Sequence, residues 1–217
     1  MIRRFINKLV RRLHKVLFFK KNPEYLEEKK RKEDYKYLIS QGIDTEYGFV
    51  SLGGNPLVKR HSNSKIIIGS NVTLLSDTSY NVAGINHPTI LSTCAEGAII
   101  ELKDNCGLSG TTIVSVEKVE IGFNVNIGVN VCIYDTDFHP LDYLERRRNP
   151  GFDLNKIPHK PVIIGNDVWI GANSIILKGV TLGNRVIVGA GSVVTKSFPA
   201  DCVVGGNPAK ILKHISN

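Results

Sequence analysis

A chain of 217 residues, 42% of them hydrophobic, can bury one core and fits a single domain with appendages. Its four cysteines, Cys94, Cys106, Cys132 and Cys202, are scattered with no C-x-x-C pair, which suggests neither a zinc knuckle nor a disulfide framework and points to a reducing compartment. The net charge of +8 is not a nucleic-acid signature: residues 1–21 hold eight Lys or Arg and no acid, so the rest sums to zero and offers no aromatic-basic platform.

In that basic segment Ile2, Phe5, Ile6, Leu9, Val10, Leu13, Val16 and Leu17 recur at helical spacing, with the cations on the other face. Its longest apolar run, VLFF, is too short to span a bilayer or to act as a secretory signal core. Two readings stay open: a helix lying on an anionic membrane surface, or one packed on its own chain or on a neighbouring subunit. Pro23 separates it from EYLEEKKRKEDYKYLISQGI, a mixed-charge stretch that reads as a solvated helix or linker. Residues 1–41 together form a helical extension, and 42–217 the main domain.

IIIGSNVTLL opens a rhythm with Ile68, Gly69, Val72 and Leu74. Leu102, Leu108 and Val114 keep it in slipped form, six apart and then seven to Ile121, which implies a bulge or a longer corner. Ile121, Ile127 and Ile133 restore the beat. It is clearest in Ile164, Ile170, Ile176, Leu182, Val188 and Val194, with Gly165, Gly171, Gly183 and Gly189 behind four of them. Val168, Ser174, Val180, Val186 and Ser192 hold the position four residues after each aliphatic. A period of six suits neither a helix nor a half-buried strand. It suits a short flat strand and a corner, three sides to a coil of about 18 residues, with coils stacked about 4.8 Å apart. At that offset Ile164 meets Leu182, Ile170 meets Val188 and Gly171 meets Gly189. Aliphatics are expected to fill the axis and glycine to release the backbone at the turns. Helical crossovers of a parallel sheet have no room between beats six apart. The expected fold is mainly β, a parallel β-helix from about Ile66 to Val204.

The rhythm lapses twice. SYNVAGINHPTILSTCAEG is irregular and holds His87 before Pro88. After Ile133 the next beat would fall at residue 139, yet the next clear one is Ile164. The intervening DTDFHPLDYLERRR and its continuation, polar and rich in Asp, Arg and Pro, cannot fill a wall and must be extruded as a loop over residues 134–161. Such loops more often serve function than not. His139 stands where the chain leaves the wall, and histidine is the usual general base. His159, near the return, is a third candidate.

DTDFHPLDYLERRR followed by NDVWIGAN, GAGSVVTK and GGNPAK resembles the hexapeptide-repeat acyltransferases, in particular the galactoside, maltose and Nod-factor O-acetyltransferase branch and the O-acetyltransferases of capsule and lipopolysaccharide clusters. The resemblance covers about residues 66–213. It implies a left-handed β-helix, a homotrimer with active sites between adjacent prisms, and His139 as the general base that takes a proton from an acceptor hydroxyl attacking acetyl-CoA. A neutral imidazole, with an ordinary pKa near 6.5, suits that task. Asp137, Asp135, Asp142 or a backbone carbonyl would orient the ring.

The resemblance also implies a coenzyme A groove at Trp169, Ala172, Ala190, Thr195, Lys196 and Lys213, closed by Gly206, Asn207 and Pro208 within the C-terminal segment 198–217. No metal is expected. On the acceptor side, Ser109 and Thr111 stand where the galactoside branch has an asparagine, Asp137 is a further contact, and Arg146, Arg147 and Arg148 would meet an anionic acceptor or the partner subunit. The implied function is O-acetylation of a surface-polysaccharide sugar or its precursor. It would take place in the cytoplasm, with residues 1–21 at the inner face of the membrane. N-acetylation of an amino sugar or antibiotic, and a non-enzymatic scaffold, are the alternatives.

Overall fold

A computed structural model of the chain describes residues 23–46, 50–148 and 153–215. The amphipathic segment expected over residues 1–21 lies outside the described residues. The description begins with α1 (Pro23–Ser40), whose outer flanks carry ion pairs of Glu27 with Arg31, Glu28 with Lys32 and Lys29 with Glu33 at i,i+4 spacing. The other side is docked. Leu38 is buried in the core, and the buried Asp34 accepts Lys30 Nζ at 2.8 Å and the Leu52 amide at 3.2 Å. Lys30 Nζ also donates to the Leu52 carbonyl at 2.6 Å, as Tyr37 Oη does to that of Pro56 at 2.6 Å. The mixed-charge stretch expected to be solvated is thus a cap packed against the first turn of the prism, where it satisfies polar groups of an otherwise open end.

Each coil supplies one strand to each of three faces. β1 (Val50–Gly53), β2 (Leu57–Arg60) and β3 (Lys65–Ile68) form the first coil, and β4 (Val72–Leu75), β5 (Ile90–Thr93) and β6 (Ile99–Leu102) the second. β7 (Gly107–Ser109), β8 (Thr112–Ser115) and β9 (Lys118–Ile121) follow, then β10 (Asn126–Ile127), β11 (Cys132–Tyr134) and, beyond the extruded loop, β12 (Val162–Ile164). β13 (Trp169–Ile170), β14 (Ile175–Ile176) and β15 (Thr181–Leu182) make the fifth coil, and β16 (Ile187–Val188) with β17 (Val193–Val194) the sixth, which Phe198 completes by bridging Leu182. A hairpin of β18 (Cys202–Gly206) and β19 (Ala209–His214) ends the first face. The prism begins at Val50, a coil earlier than the aliphatic beat indicated. Its opening stretch, VSLGGNPLVKR, turns through Gly-Asn-Pro and holds a single six-residue step, Leu52 to Val58, before the spacing lapses on the way to Ile68.

Stacked strands of all three faces are parallel, apart from β19. Like sits on like inside: Leu74, Leu108, Ile127, Ile170 and Val188 on the first face, Leu91, Ile113, Ile133, Ile176 and Val194 on the second, Ile68, Leu102, Ile121, Ile164 and Leu182 on the third, all buried. The slipped repeat is explained by this register. Ile113, not Val114, points inward in the third coil, so a short corner before β8 is followed by a wide one at Ser115–Glu117.

The recurrent glycines were expected to release the backbone, but at Gly165, Gly171 and Gly183 the role is close approach, while a Cβ on Gly189 would come no nearer than 3.5 Å to its neighbours. A Cβ on Gly171 would lie 2.5 Å from the Ala190 nitrogen and one on Gly165 2.8 Å from that of Asn184, so a side chain would force the coils apart. The left-handed residue of each turn comes two positions later and is Asn or Asp in several coils, as at Asn124 (φ 59°) and Asp167 (φ 57°). Those side chains bond from coil to coil: Asn71 to Asn105 at 2.9 Å, Asn105 to Asn124 at 3.0 Å, Asn124 to Asp167 at 3.0 Å.

Candidate active site

The rhythm stops at Asp135 because that side chain serves the coil beneath. Its fully buried carboxylate accepts the Ser115 hydroxyl at 2.9 Å and the Val116 and Glu117 amides at 2.8 and 2.9 Å, filling the wide corner after β8. From there the chain leaves the wall on a short antiparallel stem. The Lys160 amide donates to the Asp135 carbonyl at 2.9 Å, Thr136 bridges His159, and the Asp137 amide donates to the Pro158 carbonyl at 3.0 Å. The next residue, Phe138, has φ 63°, a left-handed conformation that costs a non-glycine residue about 1–2 kcal/mol. Thr136 Oγ1 accepts its amide at 3.2 Å, and its ring meets that of Tyr134 edge-on at 5.2 Å. This held turn sets His139, exposed, just outside the stem.

The three acids considered as partners of His139 are engaged elsewhere: Asp135 in its corner, Asp137 with Lys178 Nζ at 2.6 Å, and Asp142 as acceptor of the Leu144 amide at 2.8 Å before α2 (Tyr143–Arg148). Among the described residues no hydrogen bond joins them to His139. Arg146 Nη1 turns back to the Pro140 and Leu141 carbonyls at 2.8 and 2.6 Å. Arg147 lies over the Tyr143 ring at 5.1 Å, while Arg148 and Lys156 both pair with Glu145, whose carboxyl the Lys156 ammonium holds below its usual range. Burial and the Cys132 thiol push the Tyr134 phenol well above its ordinary value. His159 Nδ1 is 2.9 Å from the Ile157 carbonyl, and His87 Nδ1 is 2.8 Å from that of Pro88.

A groove of about 540 Å³ runs along the edge between the first and second faces. Its floor is backbone and small side chains, Gly128, Gly171, Ala172, Gly189 and Ala190, its rim is Trp169, 56% exposed, and Ser109 closes one end. Asn81 and Ala83 wall it from the irregular segment after β4. Asn130 holds that segment in place, accepting the Asn86 amide at 2.9 Å and donating to the Gly84 carbonyl at 3.4 Å. Beside Trp169 a smaller notch of about 200 Å³ opens over Thr73, Gly107, Ser109 and Asn126. No charged side chain lines either.

The structure therefore gathers Trp169, Ala172, Ala190 and Ser109 into one groove. Gly206, Asn207 and Pro208 lie at the C-terminal end of the same edge, where the Gly206 amide meets Ser192 Oγ at 3.2 Å. Thr195 and Lys196 follow β17, one face away, with Lys196 Nζ 5.8 Å from the Phe198 ring, and Lys213 pairs with Val203 in the hairpin. Thr111 is buried inside the prism with its hydroxyl unpaired, away from the groove surface. His139 stands at the junction of the second and third faces, so within one protomer the second face separates it from the groove. Sequence reasoning missed Asn81, Ala83, Asn126 and Lys178. The first two sit in an aperiodic segment, and the others are outward positions of regular coils, where the repeat carries no signal.

The hexapeptide repeat of succinyl-transferase matches residues 161–196. A Staphylococcus haemolyticus protein classed as an acetyltransferase is 40% identical over 134 residues, 50% of this chain and 67% of that one. The polysialic acid O-acetyltransferase of Escherichia coli O1:K1 / APEC is 36% identical over 124 residues, 57% of this chain and 38% of that one. The chain spans about half the length of the first curated relatives it matches. Among solved structures, a hexapeptide-repeat acetyltransferase of Vibrio cholerae O1 biovar eltor, complexed with acetyl coenzyme A, is 25% identical with a TM-score of 0.53 over 85% of this chain and 79% of that one. With stacked six-residue sides, backbone-floored groove and extruded histidine loop, the chain belongs to the hexapeptide-repeat acetyltransferase family and has its left-handed parallel β-helix fold.

Proposed function

We propose that the protein is an acetyl-CoA-dependent O-acetyltransferase acting on a sugar hydroxyl of a surface polysaccharide or its precursor. The observation that carries this reading is the groove beside Trp169, whose small-residue floor fits an extended pantetheine arm, together with a histidine presented on an anchored stem. The acetyl-coenzyme A complex of the Vibrio relative and the polysialic acid substrate of the Escherichia relative support the donor and the acceptor class. The uncharged notch, with hydroxyls of Thr73 and Ser109, the Asn126 amide and the flank of Trp169, has the lining that a sugar ring requires: polar groups beside an aromatic face.

Bound acetyl-CoA supplies the acetyl group as a thioester. His139 takes the proton of the acceptor hydroxyl as its oxygen forms the ester bond and the carbon–sulfur bond breaks, then passes that proton to the departing thiolate, releasing coenzyme A as the thiol. General-base help is worth about 10²–10⁴-fold. The amides of Gly128, Gly171 and Gly189 donate to carbonyls of the next coil, so stabilisation of the developing oxyanion falls to the corner amides that follow them.

A homotrimer completes the site. One outward column of the second face, Leu57, Ile90, Thr112, Cys132, Ile175 and Val193, carries no charge, and the other, Lys59, Ser92, Val114 and Tyr134, only Lys59 at its N-terminal end, whereas the third face includes Glu101 and Glu120. Packing second faces about a threefold axis would bury this apolar column and bring one protomer's His139 edge beside its neighbour's groove edge. The one-sided cations of residues 1–21 support contact with an anionic membrane surface at the inner leaflet, where lipid-linked precursors lie. No helix among the described residues is long and apolar enough to cross a membrane.

The test is acceptor-dependent thiol release from acetyl-CoA by wild type and His139→Ala, over a panel of neutral and sialylated oligosaccharides. Release that vanishes in the variant, with a product cleaved by mild alkali, supports an O-ester. An alkali-stable product would mean amide formation, and an unimpaired variant would remove His139 from the chemistry.

A further inference from the structure

The geometry points to Lys178 as a positioning residue for His139, an inference that rests on the base role proposed above. Two residues before the histidine, Asp137 Oδ1 accepts Lys178 Nζ at 2.6 Å, in a pair whose side chains are 28% and 32% exposed. One and two residues after it, the Pro140 and Leu141 carbonyls accept Arg146 Nη1 at 2.8 and 2.6 Å. The backbone is thus held on both sides of an exposed imidazole that has no hydrogen-bond partner of its own among the described residues.

The two holds differ in origin. Arg146 belongs to the loop and moves with it. Lys178 belongs to the corner after β14, in the coil that also carries Trp169, Gly171 and Ala172 of the groove. Its neighbour Gly179 donates its amide to the Lys160 carbonyl at 3.0 Å, so the same corner also grips the returning strand of the stem. Among the described residues, Lys178 with Asp137 is the ion pair that ties the loop to the prism; Glu145 with Arg148 and Lys156 pairs only within the loop. Between Asp137 and His139 lies only Phe138, in its left-handed conformation. A backbone held in a sparsely populated region persists only while its surroundings over-determine it. Without the ammonium, Asp137 is fixed by its amide alone, the Phe138 turn can relax, and the imidazole loses its aim. A displacement of about 1 Å in a reacting group can cost about 100-fold in rate.

The experiment uses the full chain with acetyl-CoA and an acceptor that supports turnover, comparing Lys178→Met, Lys178→Arg, Asp137→Asn, the Asp137→Asn/Lys178→Met double variant and His139→Ala. Lys178→Met is expected to lower kcat roughly 10- to 100-fold while KM for acetyl-CoA stays within about twofold. Lys178→Arg, with the same Tm as Lys178→Met, should recover most of kcat, and the double variant should be no worse than either single one. Wild-type kcat in Lys178→Met, or a loss that arginine fails to rescue and that follows Tm, overturns the assignment. The histidine control keeps the two claims apart: an active His139→Ala removes the base role, whereas an inactive one beside an unimpaired Lys178→Met removes only the role of Lys178. Carbethoxylation of His139 by diethyl pyrocarbonate, read by peptide mass, gives a readout without turnover. Its rate should change at least about threefold in Lys178→Met if the ion pair fixes the ring's surroundings, and an unchanged rate overturns the proposal.

Discussion

Asp135 accepts the hydroxyl of Ser115 at 2.9 Å across one coil, so the residue at which the repeat breaks is also the one that closes the corner after β8 in the coil below it. The carboxylate is fully buried and takes two backbone amides besides. Asp135→Ala would strand the buried Val116 amide and take away the acceptor of the partly buried Glu117 amide. Leaving such groups unpaired costs about 1–3 kcal/mol each, so a total loss of about 3 kcal/mol is expected, together with lower kcat, since the stem of the His139 loop starts here. Thermal unfolding should shift down by roughly 6–12 °C. A shift of a degree or two would show that the corner is held by its strands alone.

Ala190→Leu should fill part of the groove from its floor. Ala190 is an exposed corner residue lining the same groove as Trp169, so the larger side chain meets solvent in the free protein and stability should change by no more than about 0.5 kcal/mol. The dissociation constant for acetyl-CoA is expected to rise at least about tenfold, equivalent to about 1.4 kcal/mol. Trp169 is the chain's one tryptophan, which makes its fluorescence a direct report on the groove. Unchanged affinity in Ala190→Leu would place the donor elsewhere.

Thr111→Val should stabilise the protein. Thr111 is fully buried, and its hydroxyl finds no partner. The neighbouring Thr89 hydroxyl donates to the Leu75 carbonyl, and Ser174 Oγ to that of Gly189, so each of those has a reason to be polar. Removing an unsatisfied buried hydroxyl in favour of a methyl of the same shape is expected to gain about 1 kcal/mol, measured as a higher urea midpoint with unchanged slope. A lower midpoint would reveal a partner for the hydroxyl in the assembled protein.

The six-residue beat was legible because it reports inward positions. Ile164, Ile170 and Ile176 point into the axis from three successive faces, as their spacing required, and His139 stands at the mouth of an extruded loop, as the missing beat implied. What the spacing could not convey lies outside the prism or between its coils. The first coil keeps one six-residue step, Leu52 to Val58, and then loses the spacing before Ile68, so a lone step left β1 and β2 unmarked. Glycines at the turns suggested backbone freedom, whereas the clash of Gly171 with Ala190 arises only once the coils are stacked. Lys178 and Asn126 face outward, where any residue satisfies the repeat, and their meaning comes from partners 41 and 43 residues away, Asp137 and Trp169 respectively. Trp169, Ala172 and Ala190 were named through the resemblance, and the groove they share is a consequence of their stacking.

Stability should also fall in alkali, and Cys106 sets part of the slope. Its thiol is buried, Sγ donates to the Gly122 carbonyl at 3.1 Å, and burial pushes its pKa from 9.0 up to about 11. The folded state therefore holds the proton more tightly than the unfolded one. The stabilisation this gives is fully present below about pH 9 and is lost as pH rises through about 11. A shift of that size corresponds to something on the order of 2–3 kcal/mol. Burial pushes the Tyr37 and Tyr134 phenols upward as well, so the wild-type decline continues beyond the thiol's window. Cys106→Ala removes the thiol and leaves a small cavity, so it should be less stable at pH 8. Between about pH 9 and 11 its unfolding free energy should nevertheless fall more gently than that of the wild type. Urea denaturation of both proteins across that range measures the difference in slope, and parallel curves would mean that Cys106 ionises as readily folded as unfolded.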